Sequence, residues 1–196
     1  MLDWKFDQDQ LTLAGEIIAP ALIRKLEEMQ PVLLDRDAQG PEVVYRAYRD
    51  IPDPDKPEGM QADLTVIPAG RLGREFTKTH GHYHIGEGVE YYKLLRGAGM
   101  MLMQKPTFDF KGVEAVRLVK LTPQQDIQVP SGWGHTIINV GSDNLVTVNY
   151  ENPEIKPLYS AYDDHHGAAY YLVDTGNGSE LEPNPNYGNV PKPQSF

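Results

Sequence analysis

Residues 79–92 read Thr79-His-Gly-His-Tyr-His-Ile-Gly-Glu-Gly-Val-Glu-Tyr-Tyr92, a stretch that holds three of the six histidines of the chain and two carboxylates. Side chains in an extended strand alternate, so the spacing sends His80, His82 and His84 to one face and Gly81 and Tyr83 to the other. Neutral imidazole and carboxylate are common ligands of divalent transition metals, and alternate histidines of one strand can reach an ion above that face. A further ligand must come from elsewhere. The best candidate segment is Pro130-Ser-Gly-Trp-Gly-His-Thr-Ile-Ile-Asn139, where Pro and Gly mark a turn and His135 opens an apolar run that reads as a strand.

Working outward, β-rich segments recur at 42–50, 63–67, 74–84, 89–95, 98–103, 113–121, 126–129, 134–140 and 144–150. Turn signals such as Pro68-Ala-Gly70, Arg96-Gly97, Thr122-Pro123 and Gly141-Ser-Asp143 separate them. Many short strands with little helix imply an antiparallel sandwich or barrel. Such a fold can bring residues 82, 84, 90 and 135 to one point, which no local segment can do. Before the strands, residues 1–19 form an arm with short extended pieces. Pro20 then opens a helix over 21–29, with Leu22, Ile23, Leu26 and Met29 at helical spacing and an end at Gln30-Pro31. Beyond Tyr150 a loop over 151–167 covers the site, 168–173 adds a strand, and 174–196, rich in Gly, Asn and Pro, is an irregular tail. The expectation is a single domain, 1–196, with arm and helix in 1–40, barrel in 41–150, and covering loop and tail in 151–196.

The chain of 196 residues is long enough for one covered core, and its 40% hydrophobic and 23% charged residues are globular values. With no run of eighteen apolar residues and no charged-then-apolar leader, neither a membrane span nor a signal peptide is expected. Zero cysteines excludes disulfides and thiolate ligands and agrees with a cytoplasmic setting. A formal net charge of −10 with scattered Lys and Arg works against nucleic-acid binding. A small anionic substrate is still allowed, because hydroxyls and an approachable amide can cradle a phosphate; Thr65, Thr79 and the Gly81 backbone are candidates. Of Tyr91 and Tyr92, which point to opposite faces, one lines the cavity. Glu87, in a Gly-Glu-Gly turn, reads as solvated.

The two quoted segments resemble the paired motifs of the cupin superfamily. The first motif is a His-x-His, a Glu after a short gap, six further residues and a Gly. It is met by His82, His84, Glu90 and Gly97, and this register selects Glu90 over Glu87 as the carboxylate ligand and leaves His80 out. The second motif is met by Pro130, Gly132, His135 and Asn139; Phe76 and Gln124 stand where the motifs place glycines. The implied fold is all-β, a cupin barrel (double-stranded β-helix or jelly roll) with an N-terminal arm and one short helix.

A narrower likeness covers roughly residues 40–150. Val43-Val-Tyr45-x-x-Tyr48, Asp63-Leu-Thr65-Val, Gly70, Thr79-x-Gly81-His82-aromatic-His84, Glu90-x-Tyr92 and Trp133-Gly-His135 together resemble the cupin-type phosphoglucose isomerases. The resemblance implies interconversion of glucose 6-phosphate and fructose 6-phosphate by a cytoplasmic homodimer. It implies a divalent ion, Fe(2+) or else Mn, Ni or Zn, on His82, His84, Glu90 and His135. Tyr45, Thr65, Thr79 and Gly81 would meet the phosphate, Tyr92 would line the sugar site, and Glu90 and Tyr150 would act in catalysis. His165 or His166 would match a substrate histidine of the family. The same scaffold also serves iron-dependent dioxygenases and non-catalytic sugar-binding cupins, which stand as alternatives.

Overall fold

Along Gln61–Ile67 the side chains Ala62, Leu64 and Val66 enter one apolar cluster, whereas Thr65 lines a cavity and Ile67 joins a second, larger cluster. That alternation makes this strand a wall with two buried faces, and it sets the architecture. The computed structural model of the protein describes residues 3–123 and 125–195, so Gln124 lies outside the described residues. In chain order the strands are β1 (Trp4–Asp7), β2 (Gln10–Leu13), β3 (Glu16–Ile18), β4 (Leu22–Lys25), β5 (Val43–Tyr48), β6 (Gln61–Ile67), β7 (Arg71–Leu72) and β8 (Glu75–Phe76). There follow β9 (His82–Ile85), β10 (Glu90–Arg96), β11 (Gly99–Pro106), β12 (Val113–Lys120), β13 (Ile127–Val129), β14 (Gly134–Asn139) and β15 (Leu145–Glu151). The last part holds β16 (Lys156–Leu158), α1 (Ser160–Asp164), β17 (Tyr170–Asp174), β18 (Ser179–Pro183) and β19 (Gln194–Ser195).

Among the described residues these strands form two six-stranded sheets, β13-β10-β15-β6-β5-β4 and β16-β9-β14-β11-β12-β19, with smaller sheets β1-β2-β3 and β18-β17-β8-β7. The two large sheets share the main core, to which Tyr92 and Leu94 of one and Met101 and Ile137 of the other belong, while Tyr83 turns to the far side of its sheet against Phe110 and Tyr162. The protein is thus an all-β barrel of two facing sheets, the architecture that the cupin resemblance implies. The arm is a three-stranded sheet that closes the outer face of the first large sheet, placing Phe6, Leu11 and Leu13 against Tyr48, Leu64, Val148 and Tyr150.

Three expectations change. Residues 21–29 are not a helix: Leu22–Lys25 pair antiparallel with β5 (Leu22 to Ala47, Arg24 to Tyr45), and residues 26–28 and 30–32 are single 3₁₀ turns. A nine-residue helix is marginal alone, whereas the edge of β5 offers unpaired backbone groups that a strand satisfies. Met29 still reaches the core, fully buried, from the turn. The short helix lies instead at Ser160–Asp164. The segment 174–196 is also ordered in part, since β18 pairs with β17 and Asn184 caps a 3₁₀ turn at Pro185–Tyr187.

Candidate active site

β14 lies beside β9 in a register that pairs His135 with His82 and Gly134 with Tyr83. A Cβ at Gly134 would stand 2.6 Å from the Tyr83 ring, so the glycine is what lets these strands approach. His84 shares the face of His82 by strand alternation. The ring centroids lie 4.8 Å apart for His82 and His135, 5.1 Å for His84 and His135, and 5.2 Å for His82 and His84. One ring nitrogen from each of the three falls within 4.8 Å of the others, a grouping that can hold a divalent metal ion.

Glu90 comes from the opposite sheet. Its Oε1 accepts a 2.8 Å hydrogen bond from Asn149 Nδ2, which points Oε2 at the histidines, 3.1 Å from His84 Nε2 and 3.5 Å from His135 Nε2. These contacts lack hydrogen-bond geometry: Glu90 Oε2, both nitrogens of His84 and His135 Nδ1 are buried with no hydrogen-bond partner. An unsatisfied buried polar atom costs roughly 1–3 kcal/mol. A cation between the two sheets would remove that cost at Glu90 Oε2 and His84 Nε2, which face each other, so the donor set fits a divalent ion. Burial first, then the neighbouring His84 and Arg49, depresses the His82 pKa to about 3, and burial with the other two imidazoles holds His135 well below the usual range. Both are therefore neutral at pH 7, as metal ligands must be.

The cluster opens on a cavity of about 350 Å³. His82, Glu90, Tyr92 and His135 line one part of it, and Tyr45, Thr65, Thr79 and Gly81 another. The Tyr92 hydroxyl lies 2.9 Å from His135 Nε2. The Tyr45 hydroxyl accepts from Arg24 Nε at 3.3 Å, which brings a guanidinium to that corner. From the segment 151–167, Pro153, Ile155, Pro157 and Tyr159 also line the cavity.

Gly81 explains why the row of imidazoles stops at two on this strand. Its φ of +83° breaks the extended backbone, and β9 begins only at His82. The stretch 74–84 is consequently not one strand, and His80 leaves the shared face. Its Nε2 sits 3.1 Å from Asp163 Oδ1 on α1 and its ring meets Tyr159 edge-on. Glu87 is exposed, as its turn implied.

Tyr150 does not reach the cavity. It alternates outward from β15 into the arm-covered cluster, and its hydroxyl donates to Asp53 Oδ2 at 2.8 Å. In a strand one residue reverses the face, and on β15 it is the neighbours Asn149 and Glu151 that line the cavity. Besides Tyr45 and Tyr92, the tyrosine that lines the cavity is Tyr159, whose ring centroid is 5.2 Å from that of His82. His165 stacks on Tyr187 at 4.3 Å, His166 contacts Arg36, and neither lines the cavity. Sequence reasoning also missed Arg49, Asn149 and Glu151, which line the cavity. Alternation along Leu145–Glu151 from Thr147 signals the last two, because polar residues at every second position of an otherwise apolar strand mark a wet interior face.

Comparison with known proteins adds the family. The model of the family described as glucose-6-phosphate isomerase (GPI) matches residues 23–187. A glucose-6-phosphate isomerase of Thermococcus litoralis is 32% identical over 131 residues, 63% of this chain and 65% of that protein. Its counterpart in Thermococcus gammatolerans is 26% identical over 175 residues, 86% of this chain and 88% of that one. Among solved structures, the capsular polysaccharide assembling protein CapF from Staphylococcus aureus superposes with a TM-score of 0.43 at 15% identity, over 59% of this chain and 32% of that one. A match that runs from β4 to the 3₁₀ turn after β18, through every strand that lines the cavity, shows that the chain belongs to the glucose-6-phosphate isomerase family.

Proposed function

We propose that this chain is a metal-dependent isomerase that interconverts glucose 6-phosphate and fructose 6-phosphate. The observation that carries the reading is a family match spanning the whole cavity, whose orphaned buried lone pairs suit a divalent ion. His82, His84, Glu90 and His135 hold the ion, which is Fe(2+) by family likeness, and Asn149 keeps Glu90 turned toward it. When bound, the ion supplies Lewis-acid polarisation of the oxygens on C1 and C2.

Thr65, Thr79, the Gly81 amide and Tyr45 bind the phosphate, and Arg24 beside Tyr45 adds positive charge there. Tyr92 lines the sugar, and Tyr159 takes the place first given to Tyr150 and walls the sugar off from water. Glu90 carries the proton between C2 and C1 in a cis-enediol route; a direct hydride shift does not use it. Deuterium at C2 separates the two, washing into solvent in the first and staying on C1 in the second. With the family reading go a homodimeric assembly, a cytoplasmic location and a single domain over 1–196.

The test is a coupled assay on chelator-stripped protein reloaded with iron, manganese, nickel or zinc. Fructose 6-phosphate isomerisation returns with metal. Iron-dependent oxygen uptake without isomerisation would replace this reading with a dioxygenase.

A further inference from the structure

Arg49 and Glu151 are ionisable, line the cavity, and have no part in the roles above. Glu151 lies directly opposite Glu90 of β10 and Gln61 of β6, so the three side chains leave the sheet on the cavity face. Neighbouring strands are about 5 Å apart, so a molecule held beside Glu90 is within reach of Glu151. Arg49 follows β5 and is braced from behind by Asp63. That fully buried carboxylate receives the Arg49 Nη1 on Oδ2, and the Asp50 N–H and Gln61 Nε2, each at 2.8 Å, on Oδ1. With these three donors in place, Asp63 fixes the guanidinium.

The same Nη1 is 3.7 Å from Glu151 Oε1, outside hydrogen-bond distance. Both acids meet Nη1, so Nε and Nη2 keep N–H groups for another acceptor. A rigid donor and an acceptor held this far apart, on the wall next to Glu90, suit a group that accepts and donates at once. Each hydroxyl of an open-chain sugar is such a group.

Resting on the isomerase reading, we infer that Arg49 and Glu151 are a specificity-determining pair that holds a sugar hydroxyl between the phosphate and the reacting carbons. Asp63 is its positioning residue. The pair selects for the hydroxylated chain, whereas Thr65, Thr79, Gly81 and Tyr45 select for the phosphate.

The experiment measures, by calorimetry on metal-loaded protein, the binding of glucitol 6-phosphate and of inorganic phosphate to the wild type and to Glu151→Gln, Arg49→Met and Arg49→Lys. The lysine variant keeps a cation beside Asp63, which guards against misfolding, but loses the fork of N–H groups. Expected is a loss of about 10- to 100-fold in glucitol 6-phosphate affinity in all three, the scale of a charged hydrogen bond. Inorganic phosphate binding changes by less than about 2-fold, which the reading requires because Glu151 pairs with Gln61, four residues along β6 from Thr65. Metal content stays at the wild-type value and KM for fructose 6-phosphate rises more than kcat falls. Equal losses for both probes, a fall in metal content, or unchanged glucitol 6-phosphate binding overturns the inference. Because binding is read without turnover, wild-type protein that binds the probe and does not isomerise sinks the proposed function alone. Wild-type protein that isomerises, with variants that bind as it does, sinks the pair alone.

Discussion

Replacing Gly81 by Ala tests the turn that sorts the histidines. At φ +83° an L-residue carries a left-handed penalty of roughly 1–2 kcal/mol. The added Cβ also stands 2.5 and 2.8 Å from two carbons of the Tyr162 ring and 3.3 Å from the His135 carbonyl oxygen. Tyr162 is fully buried and cannot step aside, so overpacking adds about 1–3 kcal/mol. The expected loss is the sum, about 2–5 kcal/mol, or a fall of roughly 1–2 M in the urea midpoint. In a Tyr162→Ala background, itself destabilised by about 3–5 kcal/mol, the ring clash is gone and only the backbone part remains. A double-mutant cycle should therefore show a coupling of about 1–3 kcal/mol. A cost below about 1 kcal/mol in the wild type, or the same cost in both backgrounds, would refute the account of Gly81 as both a left-handed position and a close-contact position.

Four further outcomes follow from the site and its supports. Glu90→Ala lowers metal content in elemental analysis while Glu87→Ala does not, since the first is buried against the histidines and the second is exposed. Asn149→Ala weakens metal binding about 10- to 100-fold, in competition with a chelator, by releasing the carboxylate that it orients. In metal-free protein the His82 pKa of about 3 lies below its unfolded value, so the unfolded chain binds a proton that the folded one refuses and stability falls as pH drops from about 6.5 toward 3. Urea titrations of His82→Gln should lack about 1.4 kcal/mol per pH unit of that slope between pH 6 and 4, and matching slopes would count against the depressed pKa. Lys78→Met leaves the Glu75 carboxylate buried without its ammonium and costs about 3–5 kcal/mol in denaturant unfolding, and adding Glu75→Leu recovers most of the loss.

The barrel and its metal-ligand candidates were legible because both depend on local patterns. Alternation reports which residues share a strand face, and Pro or Gly at turns reports where strands end, so the segments from 42 to 150 could be delimited without coordinates. The choice of Glu90 over Glu87 came from the cupin resemblance, whose motif sets six residues between the carboxylate and a glycine, here Gly97. What could not be read is whatever depends on which strand lies beside which. The apolar spacing of Leu22, Ile23, Leu26 and Met29 suits a helix, and only the open edge of β5 makes it a strand. Tyr150 and Glu151 are neighbours in sequence and face opposite ways, so a one-residue uncertainty in register was enough to exchange a cavity wall for the core behind it. Likewise His80 follows the His-x-His rhythm and departs from it because Gly81 turns the backbone. Tyr159 and Arg49 entered the cavity through long-range packing. A side chain's chemistry is written in the sequence, whereas its address across two sheets is fixed only when backbone pairing and burial are satisfied together.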